Sequence, residues 1–353
     1  MSRRRVLTRT ALLVLVLAAV FFGVLPQIAD LSDVWGEVTA MSVTQIVWLS
    51  TIAIGSLLAY GLVLMAAMPG LSFGRATVVS QSSTAVANTV PAGGAVAVGV
   101  SFRYYESWGF SRAAITRNVV VTGVWNVFCK LGLPVVALAL VAMTGGVSSG
   151  LVAAAVVGVI VLALVVGIGF VVCASEQGAA RVGTIGGRII ARVSRIVRHP
   201  VSGNGADVAV RFRRDTIGLL RDRSGWLTAA TLLSQLSVFL VLLWSLRAVG
   251  VTAGEVGWIE ILAVFAVTRL ISAVPLTPGG IGLVELGLAG ALIALGGLEA
   301  EVVAGVLVFR VLTFFLPIPL GLATYLVWKS GRTTRAGASP LPAPTPAPVP
   351  APA

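Results

Sequence analysis

Residues 273–285 read Ala273-Val-Pro-Leu-Thr-Pro-Gly-Gly-Ile-Gly-Leu-Val-Glu285. An apolar arm over 256–274 leads into this stretch and a second, from Ile281 to Leu295, leads out of it. Proline removes a backbone donor, and glycine permits dihedrals that other residues resist. The stretch therefore predicts a helical hairpin broken at its tip. Two apolar arms around such a break suggest a setting in which protein or an aqueous cavity satisfies the freed backbone groups.

An earlier segment carries the same theme. Residues 76–101 are apolar but crowded with Ser80, Gln81, Ser82, Ser83, Thr84, Asn88 and Thr89, and they break at Val90-Pro-Ala-Gly-Gly94. The tips of the two hairpins are thus Pro91, Gly93 and Gly94, and Pro275, Pro278, Gly279 and Gly280. Gly93 and Gly279 stand 186 positions apart. Each hairpin follows one long apolar run, 44–68 or 226–249, and precedes another, 118–143 or 302–328.

Composition sets the solvent. Of 353 residues, 57% are hydrophobic and only 11% charged, with a mean hydropathy of +1.00. Soluble domains carry about 25% charged residues. Such a chain needs lipid around it, and a span takes about 20 apolar residues. The fold expected is an all-α polytopic membrane domain over 1–330, with about six full spans and the two broken hairpins. Further spans fall at roughly 8–28 and 151–174. Arg3, Arg4 and Arg5 before Leu12–Leu25 resemble a signal peptide, but no clear cleavage site follows, so an uncleaved first helix is the expectation. Residues 331–353 form a tail that is almost entirely Pro and Ala from Ser339 onward, and it is expected to be disordered.

The formal net charge of +12 sits in the loops. Residues 175–224 hold ten Arg against four acids and read as a basic cytoplasmic loop. Within it Arg188, Arg192 and Arg195 recur at helical spacing, as in a basic helix lying on the membrane face. Lys and Arg mark the cytoplasmic side. The basic and acidic segments alternate if both termini are cytoplasmic, which turns the two halves into one unit used twice, upside down. Inverted repeats with broken helices at the midplane characterise secondary transporters and related lipid movers. Arms that each cross the membrane as short spans are the simpler alternative.

Charges inside spans cost at least about 2.5 kcal/mol each, so they face partners or a cavity. Arg269 and Glu285 lie eight residues either side of Thr277, at equal depth in two helical arms about 12 Å from the tip. The pair Arg269–Glu285 is expected across the hairpin, and Arg310, eight residues into the last span, either joins them or is left for an anion. Thr122, Asn126 and Lys130 share one face of the 118–143 span, and Lys130 points to the same cleft. Arg103, just past the first hairpin, is a further candidate or a residue that snorkels to the surface. Two readings stand and can hold together: basic groups that bind a phosphate headgroup, or an ion pair that locks the hairpin.

Other chemistry is excluded. His199 is the only histidine, and Cys129 and Cys173 lie apart in apolar runs, so no metal site or disulfide framework follows. No nucleotide-binding motif, cofactor site or nucleophile–base set is present, and nucleic acid is not expected as a partner.

The sequence from Ala273 to Glu285 closely resembles the signature of the lysylphosphatidylglycerol synthase transmembrane-region family, a flippase-like group. The stretch Asn88-Thr-Val-Pro-Ala-Gly-Gly94 is similar to its first-half motif, and the likeness covers roughly residues 5–330. Family members usually carry Gly-Glu after the first break, where this chain has Ala95, Val96 and Ala97. In two-domain members a soluble C-terminal domain transfers an aminoacyl group to phosphatidylglycerol and the membrane part flips the product. Here a Pro/Ala tail follows Trp328, so the resemblance implies lipid translocation rather than aminoacyl transfer.

The expected function is therefore movement of an anionic phospholipid or lipid-linked glycan between leaflets of the inner membrane, without enzymatic chemistry. Its partners would be membrane lipids. The alternatives are a secondary transporter of a small anion, or a non-transporting accessory subunit beside an envelope-biosynthesis protein.

Overall fold

The computed structural model describes residues 30–90, 93–144, 205–271 and 282–336, with scattered positions between 160 and 184. The expected spans at 8–28 and 151–174 lie wholly or mostly outside the described residues. So do Pro91, Pro275, Pro278, Gly279, Gly280, the Arg188–Arg195 stretch and the tail from 337.

The described residues are mostly helical, with no strand among them. Helix α1, Leu31–Thr39, starts where the Asp30 carboxylate accepts the Ser32 N–H at 2.8 Å. Helix α2, Val43–Ala67, starts at a reciprocal cap between Ser42 and Gln45. It is apolar on all sides, as a lipid-embedded helix must be. Pro69 and Gly70, the latter at φ 85°, turn the chain. Helices α3, Phe73–Thr89, and α4, Gly93–Ser107, form the first hairpin. The start of α4 lies close against α3: a Cβ on Gly93 would collide with the Ala87 carbonyl oxygen. Helix α5, Arg112–Thr144, closes this half.

Helix α6, Gly205–Ala248, opens the next half and is 44 residues long. At 1.5 Å per residue that is about 66 Å, roughly twice the hydrocarbon thickness. Only Arg221–Ala248 has the composition to cross a membrane. The expectation of a loop through 224 is thus corrected over 205–224, which is helix. Leu219 and Leu227 bury against Val63 of α2 and Val121 of α5, and this packing outweighs the weak propensity of Gly218 and Gly225.

Helices α7, Trp258–Ile271, and α8, Leu283–Ala294, are the arms of the second hairpin. The final segment is not one straight span. Helix α9, Glu299–Arg310, passes through a π-turn, Val311–Phe315, into α10, Pro317–Ala336. Pro317 and Pro319 supply no N–H to the preceding turn, and the ladder adjusts by a wider bond, from Leu316 N to Val311 O at 2.8 Å. Four described helical segments are long and apolar enough to cross a membrane: 43–67, 112–141, 221–248 and 299–330. They match the four expected spans at those places.

The halves exchange arms. The first arm of the first hairpin, α3, packs on α10, and the first arm of the second hairpin, α7, packs on α5. Helices α2 and α6 pack together, and α9 packs on α6. In lipid, helices associate through close backbone approach and interhelical hydrogen bonds. Both are present. A Cβ on Gly321 would fall 2.5 Å from the Gln81 carbonyl oxygen, and one on Gly305 would fall 3.0 Å from the Leu246 Cα. Ser82 donates to the Gly321 carbonyl at 3.2 Å and shares a hydrogen with Thr324 at 3.0 Å.

Side chains at these two crossings should therefore be costly. Gly321→Leu and Gly305→Leu are each expected to destabilise the protein by about 1–3 kcal/mol. Gly218→Ala, where nothing lies within 4 Å of the added carbon, should be neutral or stabilising by up to about 1 kcal/mol. Thermal unfolding in detergent checks all three.

Candidate functional site

A cavity of about 580 Å³ opens between the two hairpins and the long helices. Its volume lies in the range of pockets that enclose small ligands. Helix α5 supplies a polar stripe: Asn118, Thr122, Asn126 and Lys130 recur every four residues and all line the space. Four residues are close to one helical turn, so the stripe faces one way. Asn118 fixes the stripe to α2 by donating to the Leu64 carbonyl at 3.1 Å.

From the other half come Arg269 of α7 and Arg310 of α9. Arg269 donates to Gln235 Oε1 at 2.9 Å, and Gln235 Nε2 donates to Asn126 Oδ1. One chain of polar groups thus runs across α7, α6 and α5. The Arg269 guanidinium also stands 5.7 Å from the centre of the Phe265 ring, within reach of the ring's negative face.

Glu285 makes the shortest ion pair among the described residues, but with Arg310. Arg310 Nε donates to Glu285 Oε1 at 2.6 Å, and the side chains are 9% and 5% exposed. The other carboxylate oxygen accepts the Gly282 N–H at 2.8 Å, where Gly282 sits at φ 85°. The expected Arg269–Glu285 pair across the hairpin is therefore corrected. Equal depth along two arms does not fix the direction in which each side chain turns. Helix α7 packs on α5, so Arg269 meets the polar residues of α5 and α6. Helix α8 packs on α9, so Glu285 meets Arg310. Arg310 also lies 4.9 Å from the centre of the Phe314 ring.

The π-turn ties this corner to the first hairpin. Asn88 Nδ2 donates to the Phe314 carbonyl at 2.9 Å, a carbonyl beside the break that Pro317 and Pro319 impose. Gln81, 4% exposed, donates to the Leu57 carbonyl at 2.8 Å, and its Oε1 has no partner among the described residues.

Of the site residues expected from sequence, Asn126, Lys130, Arg269 and Arg310 line one cavity. Glu285 stands behind it, holding Arg310. Gly93 and Gly94 begin α4. Arg103 is exposed and does not line the cavity. Its helix explains this: Ala97, Ser101 and Tyr105 of α4 line the cavity, and a residue two beyond Ser101 is rotated about 200° away from it. Gln235 and Asn118 were missed by sequence reasoning. A lone glutamine inside the apolar 226–249 run was the available signal.

The ion pair has a measurable signature. A buried charge left without its partner is costly, so Glu285→Ala and Arg310→Ala should each destabilise the fold by about 3–5 kcal/mol. The double variant should be less damaged than the sum of the two, with a coupling of about 0.5–3 kcal/mol in a double-mutant cycle. Thermal unfolding of the purified variants in detergent gives the values.

Comparison with known proteins fits this architecture. No curated protein matches the chain. The family model described as the lysylphosphatidylglycerol synthase TM region matches residues 10–321, a range that takes in both hairpins and every charged residue of the cavity. The chain is thus an integral membrane protein that belongs to the lysylphosphatidylglycerol synthase transmembrane-region family.

Proposed function

We propose that this protein moves an anionic lipid, a phospholipid or a lipid-linked glycan, between the leaflets of the inner membrane. It does so by conformational exchange and without enzymatic chemistry. One observation carries the reading: three basic residues, Lys130, Arg269 and Arg310, line a single cavity among hydroxyl and amide groups. A cationic cavity inside a membrane is expensive to build. It becomes favourable when an anionic group enters. A phosphate suits it, because guanidinium groups give it paired, charge-assisted hydrogen bonds. Gln81 Oε1 and the α5 stripe suit the hydroxyls of a glycerol or sugar.

The exchanged hairpin arms support the view that the halves form an inverted repeat. In that arrangement both termini are cytoplasmic and the hairpin tips meet near the midplane. Rocking of one half against the other would open the cavity to each leaflet in turn. The family membership supports a role in lipid handling.

Transport in vesicles tests the proposal. Full-length protein is placed in liposomes with a fluorescent phosphatidylglycerol analogue, and exposure of the label to an external quencher is followed. Wild type should move the analogue faster than protein-free liposomes. Lys130→Ala and Arg269→Gln should slow it by about 10- to 100-fold, the loss of one charge-assisted contact of about 1.5–3 kcal/mol. Arg112→Ala should leave transport unchanged, because Arg112 pairs with Glu106 on the exposed surface. Transport no faster than in protein-free liposomes, both without and with an imposed pH gradient or membrane potential, would overturn the proposal. A soluble anion carried in place of the lipid would overturn it in favour of solute transport.

A further inference from the structure

The cavity between the hairpins changes chemistry along its length. Among the described residues its charged lining is Lys130 of α5, Arg269 of α7 and Arg310 of α9. The lining from α2, α3 and α4 is uncharged, and so is that from the earlier part of α5. Ser56, Ser80, Gln81, Ser101, Asn118 and Thr122 give this end its polar character, and all six are buried.

Two helices measure how far the neutral end reaches. On α5, Thr122 and Asn118 stand eight and twelve residues before Lys130, about 12 and 18 Å at 1.5 Å per residue. On α3, Gln81 stands seven residues before Asn88, about 10 Å away. Asn88 is the residue that bonds the Phe314 carbonyl beside the Arg310 corner.

This end presents hydrogen-bond acceptors. The Ser101 hydroxyl donates to the Ala97 carbonyl at 2.9 Å, and that of Thr122 to the Asn118 carbonyl at 2.7 Å. With its hydrogen committed, each oxygen keeps only lone pairs for a further partner. Gln81 is 4% exposed. Its Nε2 donates to the Leu57 carbonyl, which can only accept, so the amide oxygen is the atom left over. That oxygen is buried and has no partner among the described residues. A buried acceptor is costly until something supplies a donor.

A ligand that suits both ends carries an anion at one and donor hydrogens at the other. An ammonium also donates, but no carboxylate lines this end to offset it, and the three basic residues repel it. A glycerol is too short, since its three carbons are joined by bonds of about 1.5 Å. A polyhydroxylated ring on the phosphate reaches further and brings several hydroxyl donors.

We propose that the lipid handled by this protein bears an uncharged polyhydroxylated ring, a sugar or a cyclitol, on its phosphate. The phosphate lies against Lys130 and Arg269, and the ring donates hydroxyl hydrogens to Gln81 Oε1 and to the Ser101 and Thr122 oxygens. This rests on the lipid-translocation reading and narrows its substrate.

Competition between lipids tests it by a binding readout. Full-length, delipidated protein in mild detergent is mixed with equal amounts of phosphatidylinositol and phosphatidylglycerol of matched acyl chains, and the bound lipids are counted by native mass spectrometry. Phosphatidylinositol should be retained at least about ten-fold over phosphatidylglycerol, the worth of one or two hydroxyl contacts. An aminoacyl ester of phosphatidylglycerol, which carries an ammonium, should bind no better than phosphatidylglycerol itself. Gln81→Leu and Thr122→Val should each cut the preference at least about three-fold and leave phosphatidylglycerol binding unchanged. Thr122→Val is the safer of the two for folding, because the Thr122 hydrogen serves only carbonyls of its own helix.

Equal retention of phosphatidylinositol and phosphatidylglycerol, or stronger retention of the aminoacyl ester, would overturn the ring assignment. A preference that both variants keep in full would overturn it too, because the ring would then sit elsewhere. In each of these cases transport of phosphatidylglycerol in liposomes leaves the translocation reading standing. A preference lost in the variants, without transport of any of these lipids, would uphold the ring site and overturn translocation.

Discussion

A membrane interior leaves a buried charge no water to turn to, and the bond between Arg310 and Glu285 answers that constraint. It lies where α8, α9 and the π-turn converge. One carboxylate oxygen holds Arg310 and the other holds the first turn of α8 through the Gly282 N–H. The pair thus anchors the second hairpin to the last helical segment. Arg310 in turn lines the cationic cavity. Replacing the pair with apolar groups need not weaken a fold, since buried ion pairs are often matched by hydrophobic isosteres. Its position beside the cavity suits a means of placing charge.

The rest of the architecture follows from the other demand of lipid, that backbone polar groups find partners inside the protein. Side chains of the first hairpin take backbone carbonyls of the final segment. Asn88 takes the Phe314 carbonyl and Ser82 takes that of Gly321. Gly321 and Gly305 let the helices approach closely enough for such contacts. Each half is therefore completed by the other. On the proposed function, rocking of the halves would exchange these bonds rather than simply break them.

Much of this was legible in the sequence. Uniform apolar runs fix the membrane class and the four described spans, because length and hydropathy are one-dimensional properties. The Pro-Gly breaks mark the hairpins, and intramembrane charges mark the cavity, because a lone Lys130 or Arg269 in lipid demands an explanation. The partner of Glu285 was not legible. Choosing between Arg269 and Arg310 depends on which helix packs on which arm, a tertiary property. The helix over 205–224 was hidden by its arginines, since a long amphipathic helix that leaves the membrane has the same charge count as a loop. Arg103 stayed open between site and surface because position along the chain says nothing of helical phase, and Gln235 was overlooked as one amide in a long apolar run.

On the proposed function, the cavity selects an anionic lipid. Native mass spectrometry of the protein extracted from membranes in mild detergent reads this directly. One anionic lipid per chain should be retained, lost when Lys130→Ala and Arg269→Gln are combined and kept in Arg112→Ala. Retention of the same lipids in the same amounts by all three proteins, or of zwitterionic lipid alone by the wild type, would contradict it.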